Sequence, residues 1–179
     1  MTHTQFYFPT EAEASVFKKL RPDADVRIIG VGMTTSAAVA TAFVATFAPK
    51  RVVLCGIAGA CDERLEIGQV VEVVRDAEAG LPAVYAQSYE MKPVTDLTAV
   101  ESLTVSHSGD SLRFIEDGGM PCIEQMEGAA VAAACQVLEP VEFHHLRAIS
   151  NRVGDDRSKW RIEEAIAALG SVAAQLFTD

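Results

Sequence analysis

One stretch limits what this chain can fold into more than any other: Glu124-Gln125-Met126-Glu127-Gly128-Ala129-Ala130-Val131-Ala132-Ala133-Ala134-Cys135, where an extended segment runs directly into a helix. The pattern predicts a strand over 121–126 and a helix over 128–138. That helix is built almost wholly from small apolar residues, so it must be buried and closely packed. Glu127 is then a charge at the mouth of a buried helix. The helix dipole favours an acid in a first turn, so a plain cap explains Glu127 as well as a site does. Single-purpose caps, however, are more often Ser, Thr, Asp or Asn, and ligands of open α/β sheets sit at strand ends.

The rest of the chain alternates strands with helices. Gln5 to Phe8 is β-rich and broken by Pro9, after which Thr10 opens a helix running to Leu20, with Thr10 and Glu13 spaced as a capping box. A strand over 26–31 leads through Gly30 and Gly32 into an Ala-rich helix over 34–47. Val52-Val53-Leu54-Cys55 is continuously apolar, the mark of a strand buried on both faces, and is expected to end in a turn over 56–60. A strand follows over 69–74, then a loop over 77–100 with one short strand near Val84 and a further strand over 102–106. A short helix over 110–116 closes at Asp117-Gly118-Gly119, and a strand over 141–150 and an amphipathic helix over 158–177 complete the chain. This alternation implies an α/β fold with a mixed, mostly parallel sheet.

Size and charge narrow the partners. The 179 residues, 49% of them hydrophobic, suffice for one domain spanning 1–179 with a sizeable core. The net charge of −10 with scattered basic residues argues against nucleic acid and against an anionic membrane surface, leaving a small molecule as the expected partner. No apolar run nears the ~20 residues of a membrane span. The start lacks the basic and apolar regions of a signal peptide, so a cytoplasmic protein is expected. Cys55, Cys61, Cys122 and Cys135 form no Cys-x-x-Cys pair and read as reduced, buried thiols.

Met126-Glu127-Gly128-Ala129-Ala130, followed one strand later by Leu146-Arg147-Ala148-Ile149-Ser150-Asn151-Arg152-Val153, resembles the purine nucleoside phosphorylase and nucleosidase superfamily, and within it the futalosine hydrolases. The resemblance runs over 52–76 and 122–169, including Trp160-Arg161-Ile162. It implies a shortened three-layer, nucleoside phosphorylase-like fold, a homodimer, and hydrolysis of the futalosine N-glycosidic bond in menaquinone synthesis without metal or organic cofactor. Cleaving an N-ribosyl bond requires anchors for the sugar hydroxyls, an activated nucleophile and help for the departing base. By resemblance, Glu127 accepts hydrogen bonds from two ribose hydroxyls, Met126 lies under the sugar, and Gln125, Ile57, Ala58, Gly59 and Ser150 line the substrate. Glu13, in Pro9-Thr10-Glu11-Ala12-Glu13-Ala14, resembles the glutamate that activates water, with Glu11 as a competitor.

Asn151 stands where adenosine-type nucleosidases carry Asp. An amide cannot give up a proton, but it can donate a hydrogen bond to the base, which suits hypoxanthine better than adenine. The phosphate-binding hydroxyl and arginine of bacterial phosphorylases correspond to Ile57 and Leu54, neither of which can bind an anion, so water is the expected nucleophile. A non-catalytic nucleoside-binding homologue and a phosphorylase are the alternatives. Compared with the family, the chain is shortened between the first helix and Val26 and across 77–100, where a partner chain could complete the pocket through Tyr85 and Tyr89.

Other residues have plainer readings. His144 and His145 point to opposite strand faces and cannot chelate one metal together. His107 with Ser106, Ser108 and Asp110 lacks a nucleophile elbow. Arg147 is read as a buried ion-pair partner, and Trp160 and Arg161 as seating the last helix.

Overall fold

The computed structural model describes residues 3–115, 118–137 and 141–178. The elements run β1 (Thr4–Phe8), α1 (Glu11–Leu20), β2 (Asp25–Ile28), α2 (Met33–Phe47), β3 (Arg51–Ala60), β4 (Val70–Glu78), β5 (Ser88–Glu90), β6 (Thr98–Thr104), β7 (Cys122–Gln125), α3 (Gly128–Val137), β8 (Glu142–Arg152) and α4 (Ile162–Ala173). Among the described residues the sheet follows the order β2-β1-β3-β7-β6-β4-β5, with β8 joined to both β3 and β4. It is mixed: β1 pairs in parallel with β2 and β3, β3 with β8, and β4 and β7 with β6, while β3–β7, β4–β5 and β4–β8 are antiparallel.

Strand alternation assigns the two faces. Phe6, Phe8, Val53, Cys55, Leu146 and Ala148 pack with Ala14, Phe17, Ala165 and Leu169 of α1 and α4. Tyr7, Val52 and Leu54 point the other way, against Ala40 and Val44 of α2 and Val131, Ala134 and Cys135 of α3. The pairings β3–β7–β6–β4–β8–β3 close a ring of five strands, and a third cluster takes residues from all five: Ala58, Ala60, Val71, Val73, Val100, Ile123 and Ile149.

Several elements differ from their sequence-based expectation. The expected turn over 56–60 is instead the second half of β3, paired residue by residue with β8 apart from a bulge at Ala58/Gly59. Its glycines serve close packing. A Cβ at Gly56 would fall on the Arg147 guanidinium and 3.2 Å from Glu13 Oε1, and one at Gly59 would lie 3.1 Å from Asn151 Nδ2. β2 stops at Ile28, because Gly30 and Gly32 take φ of 82° and 87° and turn the chain into α2. The short strand of the middle region is β5 and not the surroundings of Val84, which is 80% exposed. β6 begins four residues before the expected 102, at Thr98. The expected helix over 110–116 is only a 3₁₀ turn, Asp110–Arg113, and the last helix starts at Ile162 after a 3₁₀ turn at Arg157–Lys159. The expected ends at Glu116 and Asp117 and at Leu138 lie outside the described residues. All four cysteines are free, and Cys61 is only half-buried. Among the described residues no helix is long and apolar enough to cross a membrane.

Candidate active site

A cavity of about 450 Å³ opens where α1, the ends of β3, β7 and β8, and the start of α4 meet. Its walls contain the residues that the sequence assigned to catalysis and substrate contact, Glu13, Ile57, Ala58, Gly59, Gln125, Met126, Glu127, Ser150 and Asn151. Glu11, the competitor of Glu13, is instead exposed and pairs with Lys18 at 2.6 Å.

Glu127 is not the cap of α3. The free N–H groups of that helix are met by Gln125 Oε1, which accepts from Glu127 N at 2.8 Å and Gly128 N at 2.6 Å, and by Thr104 Oγ1, which accepts from Ala129 N at 2.8 Å. This leaves the Glu127 carboxylate free to turn inward. Oε1 accepts from Gly32 N at 3.0 Å and Oε2 from Arg147 Nη2 at 3.1 Å, with both side chains almost fully buried. Gln125, expected to touch substrate, lines the cavity but has no amide capacity to spare. Its oxygen also accepts from Arg147, and its nitrogen donates to Asp76 Oδ2, Ser102 Oγ and Thr104 Oγ1 at 2.7 to 3.0 Å.

Glu13 uses only half of the expected capping box. Thr10 Oγ1 accepts from Glu13 N at 3.2 Å, but the carboxylate does not return to the Thr10 backbone. It accepts instead from Thr10 Oγ1 at 2.7 Å and from Ile57 N at 3.0 Å. Burial raises the Glu13 pKa above its ordinary value; the Thr10 and Ile57 hydrogen bonds and nearby Arg147 oppose the rise. A carboxylate so placed accepts a proton more readily than one in water.

Arg147 is a buried ion-pair partner, as expected, and it reaches further than that. Its Nη1 donates to Ile57 O at 3.0 Å and its Nε to His145 Nε2 at 2.7 Å. Ile57 thus has both backbone groups occupied, and with Ala58 and Gly59 it lines the cavity. Ser150 Oγ donates to Asn151 Oδ1 at 2.8 Å, and Asn151 Nδ2 donates one hydrogen to Arg152 O at 2.9 Å, leaving its other N–H for a ligand.

Sequence reasoning did not single out Thr10, Val31, Glu124, Arg157 or the inner face of Trp160 as cavity wall. Trp160 lines the cavity with Arg157 4.7 Å above its ring, while Arg161 does help seat α4 through its backbone N–H to Ser150 O at 2.8 Å. Both Glu124 carboxylate oxygens share the single Gly109 N–H, at 2.8 and 2.9 Å, and Oε2 also accepts from Ser111 Oγ at 2.6 Å, pinning the loop beside Ser108. His107 is exposed, 3.6 Å from Asp110, and no triad forms around it. A second cavity of about 690 Å³ adjoins the first across Val31 and Met126, and Tyr85 and Tyr89 line it from within this chain. Among the described residues no group of three or more His, Cys, Asp or Glu side chains is disposed to hold a metal ion.

No protein-family model matches the chain. It is 28% identical to the futalosine hydrolase of Thermus thermophilus over 179 aligned positions, covering 84% of this chain and 79% of that protein. The solved structure of a futalosine hydrolase mutant from Helicobacter pylori superposes with a TM-score of 0.85 at 14% identity, over 98% of this chain and 99% of that one. The 5′-methylthioadenosine/S-adenosylhomocysteine nucleosidase of the same organism, solved with butyl-thio-DADMe-Immucillin-A, gives 0.82 at 16% identity over 98% and 97%. The chain is thus similar in sequence to a futalosine hydrolase and shares the fold of the futalosine hydrolase and methylthioadenosine nucleosidase structures.

Proposed function

We propose that this protein is a nucleoside hydrolase that cleaves the N-glycosidic bond of futalosine and releases hypoxanthine in menaquinone biosynthesis. The observation that carries the reading is the convergence of two buried carboxylates, Glu13 and Glu127, with Asn151 in one cavity. Glu127, fixed by Gly32 and Arg147, accepts hydrogen bonds from the ribose hydroxyls, and Met126 lies under the sugar. Glu13, with its raised pKa, takes a proton from water as the oxygen closes on the anomeric carbon and the bond to the base breaks. Asn151 donates its remaining amide N–H to the departing oxopurine. Water rather than phosphate is the nucleophile: Leu54 is buried in the core, and Ile57 offers an apolar side chain with both backbone groups engaged.

In this reading residues 1–179 form a single domain, a shortened three-layer α/β/α fold with a mostly parallel sheet. The protein acts as a cytoplasmic homodimer without metal or organic cofactor, and the 5′ substituent extends past Met126 into the second cavity. The test is release of free base from futalosine, inosine and methylthioadenosine, each with and without phosphate. Phosphate-independent release of hypoxanthine from futalosine is expected. Release that requires phosphate would make the protein a phosphorylase, and binding without any release would make it a non-catalytic homologue.

A further inference from the structure

Behind Glu127 lies a buried pair of groups that the proposed reaction does not use, His145 of β8 and Asp76 of β4, both 0% exposed. An arginine Nε can only donate, so His145 Nε2, 2.7 Å from Arg147 Nε, must present its lone pair. The neutral imidazole therefore carries its hydrogen on Nδ1. Burial and the adjacent Arg147 push the His145 pKa well below its ordinary value, in keeping with a neutral ring. Nδ1 faces Asp76 Oδ2 at 3.4 Å, longer than a formed hydrogen bond, and has no other partner.

Packing closes this arrangement from above. A Cβ at Gly128, the first residue of α3, would fall onto Asp76 Oδ2, 2.5 Å from His145 Cε1 and 2.8 Å from Gln125 Nε2. Glycine is thus required where the helix carrying the Glu127 motif sits on the imidazole. A guanidinium held only at its two outer nitrogens can pivot about its stem. One held also at Nε has its plane fixed, and with it the directions of Nη1 and Nη2.

We propose that His145 is a positioning residue for sugar recognition: by accepting the Arg147 Nε–H it fixes the guanidinium so that Nη2 holds Glu127 in the orientation that receives the ribose hydroxyls. The inference rests on the functional reading of Glu127 given above. Its test compares calorimetric binding of inosine and 2′,3′-dideoxyinosine to wild-type protein, His145→Leu and His145→Gln. Leu removes the acceptor, whereas the Gln amide oxygen can replace Nε2. His145→Leu is expected to weaken inosine binding about tenfold or more, the scale of one buried donor left unpaired, and to leave the dideoxynucleoside within about twofold. His145→Gln is expected to recover most of the loss. Equal weakening of both ligands in His145→Leu, or no recovery in His145→Gln, would reduce the residue to a packing role and overturn the proposal. Equal binding of the two nucleosides by wild-type protein would overturn the reading of Glu127 itself. A ¹⁵N spectrum of the wild-type imidazole needs no ligand: the hydrogen is expected on Nδ1 at neutral pH, and finding it on Nε2 would overturn this inference alone.

Discussion

Glu13 and Glu127 face the same cavity and flank the same guanidinium, yet they are held by different means. Glu127 is bound directly to Arg147 and to the Gly32 amide, in a salt bridge buried from both sides. Glu13 receives a hydroxyl and one backbone N–H, with the guanidinium acting only across space. The first arrangement fixes a charge in place, as an anchor for hydroxyl groups requires. The second leaves a carboxylate whose burial favours taking up a proton, as a base requires. In the proposed reaction, identical side chains are thus given different work by their neighbours.

Replacing Glu13 by Gln breaks the comparison most severely. Turnover is expected to fall by about 10² to 10⁴-fold, the range of a lost general base, while calorimetric nucleoside binding survives. Unchanged turnover would remove Glu13 from the mechanism. Glu127→Ala should act on the other side of the contrast, by leaving Arg147 without its carboxylate. A stability loss of about 3 to 5 kcal/mol, read by denaturant titration, is expected together with a raised KM. Thr10→Val sharpens the contrast by removing a hydrogen bond that lowers the Glu13 pKa. That pKa then rises, so the acid limb of the pH–rate profile moves to higher pH. The lost helix cap costs about 1 kcal/mol. Asn151→Asp should leave both carboxylates untouched and shift preference toward an adenine-bearing nucleoside, measured as a ratio of kcat/KM values. No shift would separate Asn151 from base choice.

A third buried carboxylate extends the series. Burial pushes Asp76 up to about 7, against the opposing Thr104 hydroxyl and Arg147. The folded protein therefore holds this proton more tightly than the unfolded chain. The stability it confers is complete below the ordinary carboxylate range and is lost as pH rises toward neutrality. Between pH 5 and pH 8 the Tm of the wild type should consequently fall by a few degrees more than that of Asp76→Asn.

The parts of this arrangement that were legible in the sequence are local ones. The entry from β7 into α3 followed from a polar strand end meeting a run of alanines, and α1 followed from the Thr10 and Glu13 spacing. Where small residues had two meanings, the sequence could not choose between them. Gly56 and Gly59 read as a turn, whereas they make room for Arg147, Glu13 and Asn151 beneath a continuous strand. In the same way, nothing in the order of residues joins Asp76 to His145. They meet because β4 pairs antiparallel with β8, from Val70 against Ala148 to Glu72 against Leu146, and because Gly128 has no side chain to separate them. Gln125 was legible as a cavity residue but not as the amide that caps α3 and braces Arg147. That role exists only once Thr104 and Asp76 have been brought to it.

The closed ring of strands has a consequence for the order in which this molecule matures. Ile57 and Arg147 are 90 residues apart in the chain, and the β3–β8 pairing that joins them is parallel and long. Closing so large a loop is entropically costly, and it rewards the chain only when most of the strands are already in place. Arg147 cannot address Glu127 or approach Glu13 before that closure. A partly folded chain could therefore hold its early helices and β1–β2 and still be catalytically silent, with activity returning only in the last step of refolding.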